Sequence, residues 1–273
     1  MNSAVLPVPI GRVEGAVLSR CDDVLAVEEA LEIRLGGRSL AITMRTPGHD
    51  IELAAGFLLA EGIIHDASEI RSAGLPEDGN PNVITFELVG STAPVQIQAE
   101  RNFVMTSACG VCGKSSLRDL ESNASPVLPP DDLRVEPDLI HRLPERLRQT
   151  QRVFESTGGL HAAARFNVQG ELEAVREDVG RHNALDKLIG AALLNHCVPL
   201  SNSILLVSGR ASFELVQKAL VAGFPILAAV GAPSSLAVST AAHSGMTLIG
   251  FLRNGRFNVY TGTRRVAGMR EDL

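Results

Sequence analysis

Tryptophan is absent from the chain, tyrosine occurs once, and cysteine occurs four times in 273 residues. With so few aromatic side chains, the stacking platforms that hold single-stranded nucleic acid are not expected. Four cysteines in a chain of this length do not make a disulfide framework. A positive surplus is lacking too. The 25 Lys and Arg against 31 Asp and Glu give a formal charge of −6, which argues against a general nucleic-acid surface but leaves room for local basic patches. Internal repeats, low-complexity tracts and segments of disordered composition are not found, and hydrophobic residues make up 45% of the chain, enough for a real core. Residues 1–18 have no basic residue before Arg12 and are interrupted by Pro7 and Pro9, a poor pattern for a secretory signal. The longest uncharged run, 219–242, contains Gly223, Pro225, Gly231 and Pro233, so it reads as strand, loop and helix rather than as a membrane span. Together these absences predict a soluble, cytoplasmic protein without nucleic-acid or membrane partners, whose thiols are kept reduced.

Two of the four cysteines stand two residues apart in Ser107-Ala108-Cys109-Gly110-Val111-Cys112-Gly113-Lys114. Thiolate is the reactive form of cysteine, and it needs access and a favourable field. Gly110 and Gly113 give little steric cover, and Lys114 places a cation nearby. A helix opening at Lys114 would add partial positive charge. The same spacing serves half a zinc site or a redox disulfide. No second CxxC exists, so a four-cysteine metal site would require the scattered Cys21 and Cys197. Sulfur chemistry and metal binding both remain open on these residues alone.

The first third of the chain predicts a sheet with a helix on it. Leu31, Ile33 and Leu35, then Leu40, Ile42 and Met44, alternate on either side of Gly36-Gly37, a hairpin signal. Helical spacing follows over 50–61, with Asp50 as candidate N-cap. Ile84, Phe86 and Leu88 predict a strand, Val95 and Ile97 another, and 72–82 a loop. A Ser-, Asn- and Pro-rich stretch over 122–132 marks the expected boundary between an N-terminal β-rich α+β domain (1–125) and a C-terminal α/β domain (126–273). A charged helix is expected over 136–154, bent or restarted by Pro144. Beyond it, 162–166 and 172–175 flank a Gln169-Gly170 turn, and 181–195 reads as a helix. Strands at 204–207, 226–230 and 247–252 then alternate with helices at 212–222 and 235–243. A hairpin strand at 256–260 follows Asn254-Gly255. This alternation predicts a mostly parallel sheet covered on both faces, an α/β/α arrangement.

Small and basic residues recur where strands of this half hand over to helices: Asp178-Val179-Gly180-Arg181-His182-Asn183, Ser208-Gly209-Arg210-Ala211-Ser212 and Gly231-Ala232-Pro233-Ser234-Ser235. Helix N-termini at the carboxyl ends of strands bind anions, and Arg181 and Arg210 can grip phosphate. Ordinary helix capping explains any single junction equally well. Three of them, together with Phe251-Leu252-Arg253-Asn254-Gly255-Arg256, point to a phosphorylated ligand. His161 and His182 are candidate site histidines, though a lone histidine is more often structural. Glu177 and Asp178 could act as acid and base, with capping the simpler reading for Asp178.

The chain resembles the formate dehydrogenase accessory sulfurtransferase family, FdhD, from the Leu31 hairpin nearly to the C-terminus. The resemblance rests on Cys109-Gly110-Val111-Cys112-Gly113, on His161-Ala162-Ala163-Ala164, on the run from Glu177 through Arg181-His182-Asn183 to Leu188, on Ser208-Gly209-Arg210-Ala211-Ser212 and on 250–260. It implies a C-terminal domain like the cytidine-deaminase fold and a homodimer. It also implies a sulfurtransferase that takes persulfide sulfur from a cysteine desulfurase and passes it to the bis-molybdopterin guanine dinucleotide form of the molybdenum cofactor, for formate dehydrogenase. By position, Cys109 would bear the persulfide and Cys112 would relay or release it. Phe251, Leu252, Arg253, Asn254, Gly255 and Arg256 would contact the cofactor, together with Arg210, and a guanine nucleotide would be a partial mimic. No resident metal is implied. Leu252 stands where some relatives carry cysteine, and Gly159-Leu160 where some carry a cysteine-threonine pair, which makes a further working thiol less expected here. Two other functions compete: a zinc-dependent hydrolase of the deaminase type, and a chaperone that only escorts the cofactor. The hydrolase needs His-x-Glu and Pro-Cys-x-x-Cys. Here Ala163 follows where the glutamate would be, and Ala108 stands in place of the proline.

Overall fold

A computed structural model describes residues 3–90, 103–105 and 126–269. The cysteine pair, the strand expected around Val95 and Ile97, and residues 122–125 of the 122–132 stretch lie outside these residues.

The chain opens with a hairpin that the sequence pattern did not announce, β1 (Val5–Glu14) with β2 (Val17–Ala26). Leu6, Val13, Val17, Leu18 and Leu25 are exposed on it, so no buried face imposes an alternation to be read. Pro7 and Pro9 are two residues apart, and that parity lets both face the open edge, where no N–H is needed.

The N-terminal sheet has the order β5-β6-β3-β4-β7. β3 (Glu29–Leu35) and β4 (Arg38–Arg45) form the expected hairpin, with Gly36 and Gly37 both at positive φ, as a two-residue turn requires. β5 (Ile70–Gly74) occupies part of the segment expected to be loop, and β6 (Val83–Leu88) pairs with it. β7 (Phe103–Met105) runs parallel to β4, setting Met105 opposite Thr43.

Helix α1 (Asp50–Ala60) follows β4, but His49, at φ 60°, takes the N-cap position expected for Asp50. Asp50 is drawn elsewhere. Its carboxylate accepts two hydrogen bonds from the fully buried Arg45 guanidinium, at 3.0 and 3.1 Å, and Asn82 accepts a third at 2.9 Å. The expected charged helix is two, α2 (Pro137–Arg148) and α3 (Arg152–Thr157). Pro144 lies inside α2, and the break comes later, at residues 149–151.

The C-terminal sheet has the order β13-β12-β11-β10-β8-β9. Its strands are β8 (His161–Asn167), β9 (Leu172–Asp178), β10 (Ser203–Val207), β11 (Ile226–Ala229), β12 (Thr247–Arg253) and β13 (Arg256–Thr261). Only β10–β11 and β11–β12 are parallel pairs, so the sheet is mixed rather than mostly parallel. The short turns at 168–171 and at Asn254-Gly255 can join only antiparallel neighbours. Helices α4 (Arg181–Leu194), α5 (Phe213–Val221) and α6 (Ser235–His243) cover one face, where Leu205, Leu227 and Leu248 point. Ile140, Leu143 and Leu147 of α2 cover the other, against Ile204, Ile226 and Ile249.

The first of these apolar clusters does not stop at the sheet. It runs through α4 into α1 and on to Leu31, Ile33, Ile84 and Phe86 of the N-terminal sheet. The α1–α4 crossing is close enough that a Cβ on Gly56 would lie 1.9 Å from the Asp186 carbonyl, and one on Gly190 1.8 Å from that of Glu52.

Candidate functional site

The site lies where the connections after β10 and β11 sit beside the irregular end of β12. Gly231 N–H donates to the Gly209 carbonyl at 2.9 Å, and Phe251 N–H donates to the Gly231 carbonyl at 3.0 Å. The glycines are needed for this approach, because a Cβ on Gly231 would stand 3.0 Å from both the Gly209 carbonyl and the Arg210 side chain. Phe251 has φ 53°, a left-handed conformation costly for an aromatic residue, and the ladder slips between Gly250 and Arg253. The bulge puts the Arg253 guanidinium 5.7 Å from the Phe251 ring centre, within range of a cation–π attraction.

His161 joins these loops from the first position of β8. Its ring lies against Gly209, where an added Cβ would meet Nδ1 at 3.4 Å. Next to it, the Ser208 hydroxyl accepts from Ala162 N–H at 2.9 Å. Burial and the Arg181 charge lower the His161 pKa, which favours the neutral ring. His182 lies deeper, with Nε2 3.4 Å from the Ser212 hydroxyl and 3.9 Å from the Glu214 carboxylate. Burial, seconded by Arg181 and Lys218, pushes its pKa down to about 3. A cleft of about 740 Å³ opens in front of His161. Ser208, Val230, Arg253 and Asn254 line one side, and Arg148, Gln151, Phe154 and Gly158-Gly159 line the other. Its volume is that of a small-molecule site.

The Glu177-Asp178 pair does not reach this cleft as free acid and base. Glu177 accepts from the N–H groups of Val153 and Phe154, at 3.2 and 2.9 Å, and so caps α3. Asp178 is fully buried. It pairs with Lys187 at 2.7 Å and accepts from Gly180 N–H, Thr46 N–H and the Asn183 amide. This knot fixes the start of α4, and with it Arg181 and His182, against the end of β4. Asn183 also accepts from Thr43 Oγ1 at 3.3 Å, and Thr43 is the residue paired with Met105 of β7.

A family model described as the FdhD/NarQ family matches residues 26–267. The chain belongs to this family. It is 54% identical over 263 residues to the sulfur carrier protein FdhD of Streptomyces avermitilis, covering 93% of this chain and 92% of that one. The protein of the same name from Sulfurisphaera tokodaii is 46% identical over 248 residues, covering 90% and 92%. Among solved structures, that of a protein from Desulfotalea psychrophila, proposed to be a formate dehydrogenase accessory protein, superposes with a TM-score of 0.76. The two are 26% identical, and the match covers 97% of this chain and 100% of the other.

Family membership bears out the resemblance drawn from the motifs, and the geometry gathers most of their residues. Arg253 and Asn254 line the cleft. Arg210 sits against Gly231, and Phe251 stacks with Arg253. Leu252 turns away, with its side chain 1% exposed in the apolar cluster under α2. Gly255, at φ 68°, completes the Asn254-Gly255 turn, and Arg256 lies exposed opposite Arg253. Cys109 and Cys112 lie outside the described residues. The wall formed by Arg148, Gln151 and Phe154 was not anticipated. Its residues belong to a segment whose only sequence signal was that of a charged helix.

Proposed function

We propose that this chain is a sulfur carrier that serves formate dehydrogenase, a sulfurtransferase that takes sulfur from a cysteine desulfurase onto Cys109. The acceptor is the bis-molybdopterin guanine dinucleotide molybdenum cofactor, which is cargo here and not a resident group. In the first step the Cys109 thiolate attacks the outer sulfur of the desulfurase persulfide. That S–S bond breaks, its electron pair leaves on the desulfurase cysteine, and Cys109 holds the persulfide. In the second step the Cys112 thiolate attacks the inner sulfur of Cys109. A Cys109–Cys112 disulfide forms and hydrosulfide leaves for the metal of the cargo. The two electrons come from the cysteine pair, and a dithiol reductant restores it, as a reducing cytoplasm allows.

The observation that carries this reading is the course of β7. Met105 is held opposite Thr43, which is tied through Asn183 to the start of α4 beside Arg181 and His182. Four residues later comes Cys109, and four residues span at most about 14 Å. That reach supports a reading in which Cys109 meets cargo held at the loop end of the C-terminal sheet. There the backbone amides of the loops, Arg210, Arg253 and Arg256 suit a large anionic cargo. The relatives' name, sulfur carrier protein, agrees with this assignment. A homodimer is part of the proposal.

The test is a pair of variants in cells lacking the native protein. Cys109→Ala should abolish formate dehydrogenase activity while the purified variant still binds GDP. Arg253→Ala should weaken GDP binding while still accepting sulfur from the desulfurase. Full dehydrogenase activity with Cys109→Ala would refute sulfur transfer and leave the escort role.

A further inference from the structure

Among the described residues the β1–β2 hairpin is a two-stranded sheet by itself. Its strands reach about 30 Å, at about 3.3 Å per residue. Packing is confined to the base of β2, which lies against α3 and beside Gly159, where an added Cβ would stand 3.5 Å from the Ala26 methyl. A lone two-stranded ribbon is marginal in water. This one nevertheless exposes Val13, Val17 and Leu18 near its tip, at 67, 68 and 73%.

The two outer edges of the ribbon differ. Val27 N–H donates to the Ala4 carbonyl at 2.9 Å, and the ladder alternates from there, so Pro7 and Pro9 point outward on β1. Proline has no N–H to give, and that edge is closed to a further strand. On β2 the outward backbone groups are those of Leu18, Arg20, Asp22 and Val24. The bond made there is local, from Val24 N–H to the neighbouring Asp23 carboxylate at 2.9 Å. This open edge is complementary to itself. When a second copy runs antiparallel about a two-fold axis at Cys21, Arg20 meets the partner's Asp22 and Asp22 meets the partner's Arg20. Leu18 meets the partner's Val24, and Val17 the partner's Leu25. Neither Arg20 nor Asp22 has an ion-pair partner of its own among the described residues. Moving the axis by one residue sets Arg20 against Arg20 or Asp22 against Asp22. The overlap ends with Ala16 opposite the partner's Ala26, so each tip stops where the other body begins. Val13 and Leu18, on the same face as Val24 and Ala26, then come beside the second copy's α3.

We propose that β2 is the seam between two copies of this chain, which pair along their open edges into a four-stranded ribbon of order β1-β2-β2-β1. The reciprocal Arg20–Asp22 pairs set its register. This rests on the homodimer of the reading above and goes beyond it by assigning the interface to an arm that precedes the matched family segment, 26–267, almost entirely. In this register the two Cys21 residues form a non-hydrogen-bonded pair. Their Cα atoms stand about 4.5 Å apart, within the span of a disulfide.

The experiment measures the dimer of the full chain by sedimentation over a dilution series. Arg20→Asp should weaken it by about tenfold or more, as should Asp22→Arg, because each turns two attractive pairs into repulsive ones. The two substitutions together should restore it, which a folding defect would not do. A second measurement compares chains that keep only Cys21 or only Cys197, treated with diamide, which takes up the two electrons and two protons of a thiol pair. The Cys21 chain should become a covalent dimer. The Cys197 chain should not, although Cys197 is the more exposed thiol. A wild-type dimer that ignores both single swaps, or whose Cys21 thiols do not cross-link, would overturn the seam and leave the homodimer to another surface. A wild-type chain that stays monomeric at micromolar concentration would overturn the homodimer as well, which separates the two failures.

Discussion

His182 stays neutral because ionising it would strip a charge of water beside Arg181 and Lys218. Its folded pKa, about 3, lies below the unfolded value, so the unfolded chain takes up a proton first as pH falls. The stability it supports is complete above an unfolded pKa of about 6.5 and drains away as pH falls toward 3. Asp186 works in the opposite sense. Burial raises its pKa to about 6 in spite of its 2.7 Å pair with Lys218, so its contribution weakens as pH rises from about 3.9 to 6. Comparing the wild type with His182→Gln cancels the Asp186 effect. The difference in urea midpoint should narrow between pH 7 and pH 4, and a constant difference would contradict a neutral buried His182. Asp178 carries a larger structural burden. Asp178→Ala strands Lys187 in the core and frees the Gly180 and Thr46 amides, a loss of about 3–5 kcal/mol by chemical denaturation. A loss below about 1 kcal/mol would show the knot to be dispensable.

Helices α1 and α4 touch through glycine, and the prediction at this scale is steric. Gly56→Ala or Gly190→Ala drives a methyl group into a backbone carbonyl that cannot swing aside, so the helices must part. Each should cost about 1–3 kcal/mol or more, although alanine favours helix over glycine by about 1 kcal/mol. A stabilised variant in a thermal melt would refute the contact. Neither glycine was legible as a contact, because sequence marks a glycine in a helix but not what lies 2 Å from it. Where a buried face imposed a period, the elements could be read: the Gly36-Gly37 hairpin and the alternation from Ile204 to Leu252 both appear as expected. Where nothing buries a face, as in β1–β2, there was no period to find. The mostly parallel sheet was misjudged for another reason. Strand–helix alternation dominates the last third, but β8–β9 and β12–β13 are joined by turns that force antiparallel pairing. At the site, the motifs led to His161, Arg210 and Arg253, which carry recognisable residue types at loop positions. Gln151 carried no such signal. Its place in the cleft wall follows from the break between α2 and α3, which the charged pattern does not mark.

At the scale of the whole molecule, one apolar cluster joins the N-terminal sheet, the α1–α4 pair and the inner face of the C-terminal sheet. Arg265 binds the start of the C-terminal half in a similar way, pairing with Asp131 and donating to the Gly245 carbonyl at 2.7 Å. A shared core predicts that both halves unfold together. Calorimetry should show one transition whose van't Hoff and calorimetric enthalpies agree, and two resolved transitions would mean the halves are energetically separate. A common core also holds β4, the strand with which β7 pairs, in fixed relation to the C-terminal sheet. The most direct measurement is intact mass of the chain after exposure to a cysteine desulfurase and free cysteine, followed by peptide mapping. The account predicts one added sulfur atom, removable by reductant, on the peptide containing Cys109, and none on Cys109→Ala. An unmodified wild-type chain, or sulfur found on Cys21 or Cys197 instead, would contradict it.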